Sequence, residues 1–135
     1  MTTTPLSFLH RLTISTGVTG HCSLPTAQEE RIRHLVQTIL KGMQECTRQM
    51  ASEINSRCAR HASRGREQAP LVREQQHIVC SCLAPGADRL VAQEAQQLGF
   101  SLQAWLPFPR VQVSYWESSD ALDAILGPRN APRNG

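Results

Sequence analysis

Residues 26–59 carry apolar side chains at helical spacing, and short runs rich in β-branched residues stand before and after them. Strand periodicity alternating with helix periodicity restricts a chain of this kind to an α/β architecture. Ile32, Leu35, Val36, Ile39, Leu40 and Met43 follow the i, i+3, i+4, i+7 rule and predict one buried face. Arg31, Arg33, Gln37, Lys41 and Gln44 populate the other side. Thr26, followed three residues later by Glu29, has the form of a capping box, in which each side chain satisfies a backbone amide at the helix start. The stripe continues through Met50 and Ile54, so the helix is expected to run from Thr26 to near Ala59.

Three short strands complete the pattern. Residues 12–18 alternate small polar with apolar side chains and predict a first strand. Residues 60–76 are polar, contain Ser63, Gly65 and Pro70, and read as a solvated loop. His77–Cys82 carries the apolar run Ile78, Val79, Cys80, which suits a strand of a parallel sheet covered on both faces. Residues 87–98 predict a second helix, closed by Gly99, which adopts the left-handed conformation cheaply. Residues 101–106 predict a third strand stopped by Pro107 and Pro109, with Trp105 read as packing; residues 118–126 predict a short last helix. The order strand, helix, strand, helix, strand implies a mainly parallel sheet with right-handed crossovers. The expected fold is therefore Rossmann-like, a three-layer α/β/α domain over residues 12–126, with a flexible leader at 1–11 and a frayed tail at 127–135.

Charge and cysteine usage narrow the function classes. Fourteen basic and eleven acidic residues give a net charge of +3, too little for the basic stripe of a nucleic-acid binder. No apolar run approaches the roughly 20 residues that span a membrane. Five cysteines at irregular spacing form no disulfide framework, which points to a reduced, cytoplasmic setting. Cys80 and Cys82 share one side of a strand and, with His21 or Cys22, are zinc-ligand types; the second half of a metal motif is missing, so core thiols are the expectation, with neither metal nor cofactor.

Ligands of open parallel sheets bind outside the carboxyl ends of the strands. Three segments converge there: Thr19-Gly20-His21-Cys22, Ser81-Cys82-Leu83-Ala84-Pro85-Gly86-Ala87-Asp88 and Pro107-Phe108-Pro109-Arg110. Gly86 and Ala87 open a helix whose free amides and positive dipole end attract phosphate. Asp88, in the first turn, favours the helix but repels an anion; it is read as stabilising the dipole, capping the loop or bonding a ribose hydroxyl. His21 is either a general acid or base, or a loop histidine that orients the turn or touches ligand. Tyr115 and Trp116 either cover the pocket mouth or pack the last helix.

Val18-Thr19-Gly20-His21 with Leu24-Pro25, then Ser81 through Ala92, then Leu106-Pro107-Phe108-Pro109, resemble the SLOG superfamily, which unites DprA/Smf proteins with the LOG (Lonely Guy) enzymes. The resemblance covers about residues 12–110. It implies a Rossmannoid fold that binds a nucleotide or nucleotide derivative, with ligand contacts from Thr19, Gly20, His21, Ser81, Leu83, Ala84, Gly86, Ala87 and Asp88. Two positions depart from the family: Cys22 stands for an arginine and Cys82 for a glycine. The Pro-Gly-Gly-x-Gly-Thr-x-x-x-Glu signature of the LOG enzymes is absent, which favours binding or sensing over catalysis. The alternatives are a nucleotide hydrolase or phosphoribohydrolase acting through Asp88 or His21, and a DprA-like nucleic-acid-binding module. Beyond Arg110 the family pattern fades to a partial echo at Tyr115-Trp116-Glu117, and a missing half-sheet would leave a strand edge for pairing in a homo-oligomer.

Overall fold

The computed structural model describes residues 11–61, 70–106 and 119–127. The elements are β1 (Arg11–Gly17), α1 (Thr26–His61), β2 (Glu74–Ser81), α2 (Ala87–Gln97), β3 (Ser101–Ala104) and α3 (Ser119–Leu126). The three strands form one parallel sheet in the order β1-β2-β3. The expected elements are thus present, with shifted ends. The polar start of β2 carries no apolar signal, yet Glu74, Gln75 and Gln76 pair with Arg11, Leu12 and Thr13. Backbone pairing, reinforced by the Arg11 Nε to Glu74 bond of 3.0 Å, extends the strand beyond its apolar core.

Register settles which side chains share a face. Leu12, Ile14 and Thr16 lie beside Gln75, His77 and Val79, and Val79 and Ser81 lie beside Leu102 and Ala104. This face receives the helices. Leu40, Val79, Ala95 and Phe100 form one buried cluster, joined by Val18, Val36, Met43, Leu98 and Leu102. Leu83, Ala92 and Ile125 form a second, joined by Leu102, Ala104, Leu106 and Leu126. His77 packs on Phe100 with ring centroids 5.0 Å apart, and burial pushes its pKa down, toward the neutral imidazole. α1 lies over β1 and β2, while α2 lies over β2 and β3.

The opposite face carries Thr13, Ser15, Ser101 and Gln103, all exposed, with Ile78 and Cys80 half-buried. A three-layer sandwich needs helices on both faces; among the described residues all three helices pack on one. The reason is the strand order: successive crossovers that step the same way, with the same hand, place their helices on the same side. Trp105 continues the parity of Ser101 and Gln103 and is 62% exposed, so it does not pack the core as expected. Cys80 and Cys82 are not core thiols either: Cys80 bonds Gln103 across the open face and Cys82 is exposed.

Two further expectations for α1 are corrected. Leu35 and Ile39 are exposed, because the helix turns Val36, Leu40 and Met43 to the sheet and Arg33, Gln37 and Gln44 to α2. The capping box does not form: Thr26 is already helical, and the Glu29 carboxylate accepts from Arg33 at 3.0 Å. At 36 residues α1 is about 54 Å long, roughly twice the span of β2. Its far end passes the amino edge of the sheet, where Asn55 clasps Val72 by accepting from its amide (2.8 Å) and donating to its carbonyl (3.0 Å). No helix among the described residues is long and apolar enough to cross a membrane.

Candidate functional site

The parallel sheet brings the ends of its strands to one edge, and there the loop after β1 meets the loop after β2. The Ala87 amide donates to the His21 carbonyl at 3.1 Å. Gly20 sits so close to Ala87 that a Cβ on it would stand 2.5 Å from the Ala87 Cβ. Gly86 has φ +85°, ψ −126°, and an added Cβ would press on the His21 carbonyl and stand 2.7 Å from the Cys22 carbonyl carbon. Only glycine adopts that conformation without strain, and only glycine leaves room for the facing backbone. The third expected segment, around Phe108, lies outside the described residues, as do Tyr115 and Trp116; the Trp105 amide still donates to the Ser81 carbonyl at 2.9 Å, so β3 ends beside β2.

The nine sequence-predicted residues separate into two groups. Thr19, Gly20 and His21 are exposed, and Ala84, Gly86 and Ala87 are half-buried. Ser81, Leu83 and Asp88 are buried and serve the loop itself. The Ser81 hydroxyl accepts the Leu83 amide at 3.0 Å. Leu83 takes a left-handed φ of 56°, and its carbonyl accepts from Arg89 Nε at 2.9 Å. That conformation costs a non-glycine residue roughly 1–2 kcal/mol, offset here by the buried leucine side chain and the two hydrogen bonds. Asp88 is only 6% exposed; it accepts the Ala84 amide, while its Oδ1 is buried without a partner. Burial raises its pKa above the ordinary aspartate value, and the Ala84 bond only partly counters this. Of the three roles considered for Asp88, loop capping is the one its contacts display.

Beside this junction lies a cleft of about 330 Å³, lined by residues 22–24 of the β1 loop, by Glu29 and Arg33 of α1, and by Pro85, Gly86, Arg89, Leu90 and Gln93. That volume is at the lower end of small-molecule sites. Gly86 is the only one of the nine predicted residues in its lining; sequence reasoning missed the others. The signal was present in Glu29 and Arg33, one turn apart on α1 and facing α2. Behind the cleft Glu94 is fully buried and accepts from both Arg33 and Gln37. Burial would raise its pKa, but the bonds from Gln37 and Arg33 prevail and hold it below the ordinary glutamate value. Larger clefts of about 550 Å³ lie at the far half of α1 and over Gln93, Gln96, Gln97 and Ala124. Neither adjoins the carboxyl ends of the strands, and neither is reached by a helix N-terminus.

Chemically, the junction offers backbone rather than reactive side chains. The Ala87 amide, expected to be open to phosphate, is taken by His21. The α2 ladder begins with Leu90 donating to Gly86 at 3.1 Å, so the amides of Asp88 and Arg89 also precede it. The side chain of His21 has no hydrogen-bond partner among the described residues. No group of three or more His, Cys, Asp or Glu side chains is arranged to hold a metal among them. No protein-family model, curated protein or solved structure matches this chain.

Proposed function

We propose that this chain is a nucleotide-binding or nucleotide-sensing domain without chemistry of its own, its ligand seated at the carboxyl edge of the sheet. The observation that carries the reading is the glycine-mediated junction of the β1 and β2 loops, with a cleft beside the start of α2. Arg33 and Arg89 line that cleft together with Glu29. Arg33 is balanced by Glu29 and Glu94, and Arg89 Nε is bonded to the Leu83 carbonyl, so the partial positive charge that suits a phosphate-bearing small molecule comes from the dipole of α2. The exposed Thr19, Gly20 and His21 then lie at its rim. Kinship with the SLOG superfamily, a Rossmann-like three-layer completion of the sheet and a cytoplasmic setting belong to this same reading. A hydrolase acting through Asp88 gains no support, because that carboxyl is turned into its own loop. A nucleic-acid module gains none either, since the chain carries a net charge of only +3.

Calorimetric titration with AMP, NAD and ADP-ribose tests the reading. At least one is expected to bind, and Ser23→Trp, which fills the cleft from an exposed loop position, is expected to weaken it at least about tenfold. Binding by none of them, or an affinity indifferent to Ser23→Trp, overturns it. Base or phosphate released during incubation would reject the non-catalytic half of the proposal.

A further inference from the structure

We infer that a second copy of this chain docks on the outer flank formed by α1 and β1, about a twofold axis that sets both elements antiparallel to their counterparts. Three observations meet on that flank. The first is an apolar stripe: Leu35, Ile39 and Met50 are 52%, 63% and 48% exposed, and Gly42 and Cys46 lie between them at helical spacing. The stripe points away from α2, toward the outer side of β1. The second is the free edge of β1, which pairs only with β2 among the described residues. An unpaired edge presents a row of amides and carbonyls ready for another strand. The third is Gly42 itself. Glycine in a helix interior costs about 1 kcal/mol relative to alanine, and here an added Cβ would meet nothing within 4 Å. Nothing among the described residues calls for a glycine there, whereas two helices crossing at close approach do.

Self-complementarity selects the occupant. An axis passing between Gly42 and Met43 sets Leu35 across from Met50 and Ile39 across from Cys46. It also brings Arg31, which has no ion-pair partner among the described residues, beside Glu53 of the other copy, which already accepts from Arg57 of its own helix and would there be shared between the two arginines. The same axis serves the strands. Leu40 packs on Val79, whose register partner is Thr16. Two to three residues further along α1 is about 4 Å, roughly one strand residue, which brings the axis over Ser15, next to the middle of β1. One symmetry operation therefore buries the helix stripe and pairs the open edges, as a closed isologous dimer requires.

Sedimentation equilibrium of the full chain tests this. The wild type is expected to be a reversible dimer at micromolar concentration. Ile39→Glu is expected to leave a monomer with an unchanged circular-dichroism spectrum. Arg31→Glu and Glu53→Arg are each expected to weaken the dimer about tenfold, and the two together to restore it to within about threefold of wild type. A chain that stays monomeric, a dimer indifferent to Ile39→Glu, or a double variant no tighter than either single one overturns the proposal.

Discussion

Asp88 and Glu94 are both buried carboxylates of α2, and their surroundings treat them oppositely. Glu94 faces α1, where Arg33 and Gln37 supply donors, and its pKa is held down. Asp88 faces its own loop, where one backbone amide is its partner, and its pKa is pushed up. The difference shows how one short helix is fixed at two points by different means. Its body is clamped to α1 by a compensated charge; its start is positioned by loop geometry, with an imperfectly compensated carboxyl as the cost. The carboxyl edge thus owes its shape to backbone contacts rather than to ionic ones.

The comparison can be broken at either point. Arg33→Ala leaves Glu94 buried without its cation and is expected to cost about 3 kcal/mol in urea unfolding, near the lower end for a broken buried pair because Arg33 is partly solvated. A loss below about 1 kcal/mol would mean that Glu94 does not depend on the clamp. Gly86→Ala is expected to cost about 2 kcal/mol from backbone strain and to separate the two loops, read as faster hydrogen exchange at the Ala87 amide. Gln37→Met removes a neutral donor from Glu94 and is expected to cost about 1.5 kcal/mol by the same unfolding measurement.

The sharpest contrast is in pH. Asp88, with a raised folded pKa, contributes stability below the ordinary aspartate value of about 4 and loses it as pH rises through its folded value. Glu94, with a depressed folded pKa, contributes stability above about 4.5 and loses it as pH falls through its folded value. Asp88→Asn is therefore expected to be more stable than wild type at neutral pH, with the gain vanishing near pH 4. A gain independent of pH in thermal melts would show that Asp88 is not the group that titrates.

Element type and order were legible in the sequence because apolar periodicity reports burial directly. The polar first turn of β2 was not, since its pairing is carried by backbone and by the Arg11–Glu74 contact. Which of two adjoining apolar stripes on α1 turns inward was not legible either: Leu35 and Ile39 differ from Val36 and Leu40 by one residue, and only the positions of α2 and the sheet choose between them. At the carboxyl edge, Gly86 was legible as a small residue opening a helix, but not that the His21–Cys22 backbone comes close to it, nor that Gly20 packs against Ala87. The inward turn of Ser81, Leu83 and Asp88 was not legible either, because a short polar motif reads alike whether it faces a ligand or its own backbone. The roles of Arg33 and Glu94 depend on a contact between residues 61 positions apart, which no local pattern encodes.

The unequal lengths of α1 and the sheet divide that helix into a seated half and an overhanging half. Leu40, Thr47 and Ala51 anchor the seated part, and the described contacts beyond them are with the 70–75 segment. Such a beam unwinds from its loose tip, and the several buried turns between that tip and Arg33 absorb the disturbance. Length changes or fraying near His61 will thus be tolerated silently, while a single substitution near Glu29 reaches the cleft at once.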